Sequence, residues 1–353
     1  MNDMKLLVFK AVGITLLFMS IITGWVIYDY QKFLDKPLNV KDDYSFTVTS
    51  GMSLKKIAYQ LQRDKVLDKP HYFIWHGKFS GRSHQIHAGE YEVKKGWTTK
   101  DLLHALISGK VKLYSMTIVP GWTFKQMMAE VNKHHALKHH LANLSESDIM
   151  EKIGYPGVKP EGRFFPDTYN FPTGYSDVHL LQRAYKAMEA KLHKEWAKRQ
   201  PNLPIKSPYE ALILASIVER ETGVASERPM IAGVFTRRIV KRMKLQSDPT
   251  VIYGMGEKYD GNIRRKDLRA DTPYNTYTRF GLPITPIAMP SGEAIEAVLN
   301  PAPGQFLYFV AKGDGSHIFA KSLKEHNRNV IKYQLKGRKR PFSSFHPKKN
   351  KQR

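Results

Sequence analysis

The first 28 residues constrain this chain more than any other stretch. From Leu6 to Tyr28 the sequence is almost uniformly apolar, and Lys10 is its only charge. From Ala11 to Tyr28 there are 18 uncharged residues, about 27 Å of helix at 1.5 Å per residue, which nearly spans a hydrocarbon core of about 30 Å. Lys5 and Lys10 precede the run and Asp29 follows it, although Lys32 and Lys36 also follow, so the positive-inside bias is weak. A cleaved signal peptide would have a shorter apolar run and an Ala-x-Ala-like exit. Here the run ends Gly24-Trp25-Val26-Ile27-Tyr28, with aromatic rings suited to a membrane interface. The reading is an uncleaved single-pass anchor over residues 1–28, with a short cytoplasmic tail and a large ectodomain. A buried core helix is disfavoured, because a segment apolar on every face has nothing local to pack against.

The remainder is long enough for two domains. The chain has 353 residues, 42% of them apolar, and no cysteine, which removes disulfides, thiolate metal sites and a cysteine nucleophile. Fifty-six Lys and Arg against 32 Asp and Glu leave a net charge of +24. That charge attracts polyanions such as nucleic acid, anionic lipid or an acidic wall polymer. A nucleic-acid surface would gather basic residues on one face among stacking aromatics. Here they are scattered, with a run only in the tail, where eight Lys and Arg and no acid follow from Lys336. Nucleic acid is therefore not expected as a partner.

Residues 29–45 are polar and read as a linker. Three related segments come next: Val48-Thr-Ser-Gly51-Met52-Ser53-Leu-Lys55, Val93-Lys-Lys-Gly96-Trp97-Thr98-Thr-Lys100, and Val119-Pro-Gly121-Trp122-Thr123-Phe-Lys125. Each reads as a strand end, a Gly turn, a Ser or Thr cap and an apolar helical face, with Ser53, Thr98 and Thr123 as the caps. Small strand–turn–helix modules over 46–140 are expected, and the pattern resembles the LysM fold, a glycan-binding module. Residues 132–152 read as a charged helix. Its His134, His135, His139 and His140 form one i, i+4 pair, too little to expect a metal site.

The chemistry concentrates in residues 141–335. Residues 160–175 are dense in Pro, Gly and aromatics, interleaved with Glu161 and Asp167, which suits a cleft wall that stacks sugar rings and binds hydroxyls. A core helix is expected over 178–198. Ser207-Pro208-Tyr209-Glu210 is a capping box with Pro at the first helical position. The helix it opens runs to Glu221, with Gly223 expected as its C-terminal cap. Glu219 follows Leu212 by seven residues, Ala215 by four and Ser216 by three, so it lies on the small and apolar stripe. A carboxyl buried there favours its protonated form, as a general acid near neutral pH requires. Glu221 is some 200° further round and is expected to face solvent. Residues 308–319 read as a β-hairpin around Gly313-Asp314-Gly315.

Six motifs then occur in order: Glu161-Gly-x-Phe164-Phe165-Pro-Asp-Thr-Tyr169, Ala215-Ser-Ile-Val-Glu219-x-Glu-Thr222, Leu245-Gln-Ser-Asp-Pro-Thr-Val-Ile-Tyr253-Gly254, Tyr274-Asn-Thr-Tyr277, Gly281-Leu-Pro283 and His317-x-Phe319. Together they resemble the YceG-like family, the membrane-anchored endolytic murein transglycosylases called MltG. Arg163 and Ile284-Thr285-Pro286 depart from the commoner family pattern, in presumed cleft walls. The resemblance implies an α+β protein: anchor, LysM-like region (46–140) and YceG-like catalytic domain (141–335); the basic tail (336–353) reads as a disordered local addition to that pattern. It implies cleavage of the β-1,4 bond between N-acetylmuramic acid and N-acetylglucosamine inside peptidoglycan strands, without water, to leave 1,6-anhydro ends. It places the catalytic carboxyl at Glu219, with no metal or other cofactor. Glu161, Tyr169, Gln246, Asp248, Asn275 and Tyr277 are the expected substrate-binding residues. The expected location is the bacterial inner membrane, with the catalytic domain in the periplasm, nascent strands limited in length, and peptidoglycan synthases as possible partners.

Overall fold

The structure is a computed structural model that describes residues 2–82 and 84–335; the tail expected to be disordered, 336–353, lies outside the described residues. Its contacts divide it into two units, residues 1–114 with 170–174, and residues 115–169 with 175 onward. The third strand–turn–helix copy thus belongs to the second unit, whereas the sequence division fell at 140.

In the first unit, α1 (Asn2–Asp35) carries the apolar run, whose side chains to Tyr28 are exposed apart from the half-buried Val26. The helix continues past the expected end of the span, into the stretch read as linker. Phe33 and Leu34, at its last turn, and Leu38 just beyond are buried in the unit's core. Then β1 (Tyr44–Val48), α2 (Leu54–Arg63), α3 (Pro70–Phe79), β2 (Gly89–Val93) and α4 (Thr99–Ser108) follow. β1 pairs antiparallel with β2, Phe46 opposite Tyr91, and α2, α3 and α4 share one core with the buried Tyr91 and Val93. Ser53 accepts the Lys56 N–H and caps α2; Thr98 and Asp101 form a reciprocal capping box on α4.

The chain runs on through β3 (Leu113–Thr117), α5 (Phe124–Lys133), β4 (Leu137–Lys138), α6 (Glu146–Lys152), β5 (Thr168–Pro172), β6 (Tyr175–Ser176) and α7 (Asp177–Ala197). Thr123 caps α5. The helix expected over 132–152 is instead the end of α5, a loop with the short β4, and α6, because Ser145 caps a new helix at Glu146. β4 pairs parallel with β6, Leu137 opposite Tyr175. Next come α8 (Pro208–Glu221), α9 (Arg228–Val240), α10 (Asp248–Met255), α11 (Arg265–Arg269), α12 (Gly292–Leu299), the hairpin β7 (Tyr308–Ala311) and β8 (His317–Ala320), and α13 (Leu323–Asn329).

In the second unit α8 is the central element. Ala211 through Val218 are all buried, so every face of the helix is covered, by α7, α9, α10 and α12. Ser207 caps it by accepting the Glu210 N–H at 3.2 Å, with Pro208 at the first position. Its C-terminal cap is Thr222 in an extended conformation rather than a left-handed Gly223.

Candidate active site

Glu219 sits in the last turn of α8, and its side chain is 6% exposed. The loop before α12 runs along the same helix. The Ile287 N–H donates to Ser216 Oγ at 3.0 Å, and one turn on the Ser291 N–H donates to Glu219 Oε2 at 2.9 Å. The Ser291 hydroxyl also bonds Oε2. Arg228, at the start of α9, places Nη2 3.4 Å from Oε1. The carboxyl is thus oriented by groups from two other elements. Arg228 Nε is buried and has no partner among the described residues.

Glu221 does not face solvent. It accepts a 2.5 Å hydrogen bond from Ser247 Oγ, and burial pushes its carboxyl up to about 7, with the neighbouring Asp248 charge adding to the rise. Helical rotation located Glu221 correctly relative to Glu219, but α8 is enclosed, so the opposite side of the helix meets protein rather than water. Ser247 joins Glu221 to a second constellation. Its N–H donates to Thr276 Oγ1 at 3.0 Å, and the neighbouring Gln246 N–H donates to the Thr276 carbonyl at 3.1 Å. Gln246 has φ +54°, in the left-handed region. Such strain in a non-glycine residue collects where the surroundings hold a functional geometry. Arg238 of α9 pins this segment by donating to the carbonyls of Lys244 and Leu245.

The remaining expected site residues divide into one cluster and three buried side chains bonded to the protein itself. Asp248 and Tyr277 meet, the Tyr277 hydroxyl donating to Asp248 Oδ1 at 2.5 Å, and with Gln246 they form one cluster beside Ser247. Asn275 is buried, and both ends of its amide serve the protein. Nδ2 donates to the carbonyls of Asp267, Leu268 and Ala270, and Oδ1 accepts from the Tyr277 N–H at 2.8 Å. Glu161 is also buried. It accepts from the Phe124 N–H at the start of α5, at 3.0 Å, and from the Tyr253 hydroxyl at 3.0 Å. Burial pushes its carboxyl up to about 7 against those hydrogen bonds. Tyr169 is buried, donates to the Phe165 carbonyl at 2.8 Å, and has the Arg183 guanidinium 5.7 Å from its ring.

Ser291, Ser247 and Tyr253 all bond these residues, and sequence reasoning did not single them out; Arg228, with Arg220, is a pairing partner for Glu219 that the sequence does offer, and the structure brings Arg228 to it. Pro290-Ser291-Gly292-Glu293 carries the signature of a helix start, and Ser291 does cap α12 by accepting the Ala294 N–H at 3.2 Å. Nothing local, however, marks its contact with a residue 72 positions earlier. Glu227 was also missed; it accepts from the His317 N–H and from Nδ1, both at 2.7 Å, and so ties the hairpin to the segment after α8. Among the described residues no group of three or more His, Asp or Glu is arranged to hold a metal ion.

Residues 46–332 match the model of the YceG-like family. The chain is 32% identical over 328 residues to a protein of Bacillus subtilis named endolytic murein transglycosylase, covering 86% of this chain and 89% of the relative. A protein of the same name from Streptococcus pneumoniae is 26% identical over 356 residues, 90% of this chain and 64% of that protein. A crystal structure of a YceG-like protein from Listeria monocytogenes superposes with a TM-score of 0.52 at 28% identity, over 82% of this chain and 99% of that one.

Proposed function

The chain belongs to the YceG-like family, and on that premise we propose that it is an endolytic murein transglycosylase with Glu219 as its one catalytic carboxyl. The observation that carries the assignment is a carboxyl 6% exposed, held at the end of a buried helix by Ser291 and Arg228.

A glycosidase that adds water generally uses two carboxyls. A transglycosylase that closes a ring within its own substrate needs one. Protonated Glu219 donates to the glycosidic oxygen as the bond from the muramyl anomeric carbon breaks, and the released N-acetylglucosamine end keeps that proton. The Glu219 carboxylate then takes the proton of the muramyl 6-hydroxyl, whose oxygen bonds the anomeric carbon. The product is a 1,6-anhydromuramyl end, no water is consumed, and Glu219 is again protonated. The Ser291 N–H fixes Oε2, and Arg228 offers charge beside the carboxyl in the intermediate state. Gln246, Asp248 and Tyr277 are assigned to sugar hydroxyl and acetamide groups, whereas Glu161, Tyr169 and Asn275 hold the walls. The LysM-like character of the first unit is supported by its capped strand–turn–helix repeats. We place the chain in the cytoplasmic membrane through α1, with the second unit on the periplasmic side, where it shortens nascent strands alongside the synthases.

The test is mass spectrometry of purified glycan strands after digestion by the full chain and by a folded Glu219→Gln variant. Internal fragments with 1,6-anhydromuramyl ends from the native chain alone are expected. Reducing ends would make water the acceptor and call for a second carboxyl. Equal cleavage by the variant would remove Glu219 from the chemistry.

A further inference from the structure

The third helix carries apolar residues on two faces, and the core accounts for only one of them. Tyr72 and Phe73 face inward and are buried. His71, Trp75, Lys78 and Phe79 lie on the other side, at the spacing of a single stripe, and all four are exposed. Phe79 is 82% exposed, the highest value for a large apolar side chain among the described residues, including those of the apolar run in α1; Trp75 is 46% exposed. Arg82 continues the stripe just past the helix end. Exposed aromatic rings interleaved with cationic side chains are the composition of a helix lying in a membrane interface.

The position of α3 fits that role. The apolar run of α1 ends at Tyr28, and the next two residues bond α3: Asp29 accepts from Lys69 Nζ at 2.6 Å and from the Tyr72 hydroxyl at 2.9 Å, while the Tyr30 hydroxyl lies 2.9 Å from His76 Nδ1. Beside the stripe, α3 and α4 flank an open groove of about 570 Å³, lined by Leu103 and Ile107 and by the polar His76, Ser80, Arg82, Lys100, His104 and Ser108, with no Asp or Glu in its wall. Burial holds the His76 imidazole below its ordinary value, so the positive charge there comes from Arg82 and from Lys100, which also pairs with Asp35 at the end of α1. The hydroxyls of Ser80 and Ser108 donate to the Gly77 and Ala105 carbonyls, so it is the two cations that suit a phosphodiester.

We infer that the Trp75–Phe79 face of α3 rests on the bilayer that α1 crosses, with anionic lipid headgroups meeting the Arg82–Lys100–His104 groove. This rests on reading α1 as a membrane span. The rings settle at the acyl boundary, and the cations meet phosphate in the headgroup layer. The anchor then becomes a seat that limits how α1 and the first unit can tilt together on the bilayer.

The chain has no native cysteine, so single-cysteine labelling of the full-length protein tests the inference directly. A spin label at Phe79→Cys is compared with one at Lys95→Cys, an exposed turn whose backbone bonds Asp43, well past the end of α1. Both are placed in nanodiscs of phosphatidylglycerol or of phosphatidylcholine. In phosphatidylglycerol, position 79 is expected to be several-fold less accessible to a water-soluble nickel chelate than position 95. The difference should shrink in phosphatidylcholine and in an Arg82→Glu background. Equal accessibility at the two positions overturns the inference, as does protection identical in both lipids. Protection of position 79 that appears only on adding murein strands overturns it in favour of a glycan platform. Failure of the chain to enter discs at all would instead sink the reading of α1 as a span.

Discussion

Ser291 donates its backbone N–H to Glu219 Oε2 at 2.9 Å while its hydroxyl caps α12 through the Ala294 N–H. One residue thus starts a helix and holds the candidate acid. The orientation of Glu219 is tied to whether α12 is correctly begun.

Ser291→Ala is therefore expected to act twice. Loss of the cap should cost about 1 kcal/mol, read as a small drop in melting temperature. Loss of the hydroxyl at Oε2 should lower kcat with little change in KM. Ser291→Thr keeps the hydroxyl and should recover both. A variant that melts early yet turns over at the native rate would show that Ser291 only caps.

Glu161 and Glu221 each move from an ordinary 4.5 to about 7 through burial. Between those values the folded chain holds more protons than the unfolded one, so stability falls as pH rises through the window and levels off above it. Each group contributes at most about 3 kcal/mol to that fall. Glu221→Gln keeps an acceptor for Ser247 and should roughly halve the slope. Denaturant unfolding across the window checks it, and an unchanged slope in the variant would contradict it.

Gly162 has φ +75°, and a Cβ placed there would come within 2.4 Å of Pro286 Cβ and 3.1 Å of the Ala288 carbonyl. Gly162→Ala should cost about 2–4 kcal/mol from backbone strain and from displacing the loop that runs along α8. Melting temperature gives the measurement. Activity should fall with it, because that loop ends at Ser291.

Asp248→Asn and Tyr277→Phe should leave melting near native and raise KM by about tenfold each, the loss of roughly one good hydrogen bond to substrate. Asn275→Ala should do the reverse. It strips partners from three carbonyls and one N–H, and should lower stability by about 2 kcal/mol or more. Steady-state kinetics beside melting curves separates the two behaviours, and native KM in both Asp248→Asn and Tyr277→Phe would remove that pair from the sugar site.

Much of this was legible from local pattern. The apolar run, the caps Ser53, Thr98, Thr123 and Ser207, the core face of α7 and the β7–β8 hairpin follow from rules that act within a few residues, where a side chain meets its own backbone. The burial of Glu219 followed from its stripe on α8. The orientation of Glu221 did not, because rotation about an axis says which side a residue takes but not what lies there. The amide of Asn275 read as a sugar ligand for the same reason: a polar group in a loop has the same signature whether it meets substrate or backbone carbonyls.

By itself the sequence determined that a membrane-sized helix precedes an α+β chain, and that one carboxyl stands on a small, apolar helical stripe. Only the tertiary structure decided that Ser291 and Arg228 close on that carboxyl, that Glu221 is covered, and that α1 runs on into the first unit's core. Those contacts join residues far apart in the chain. They depend on how already-formed elements enclose one another, and no local periodicity carries that information.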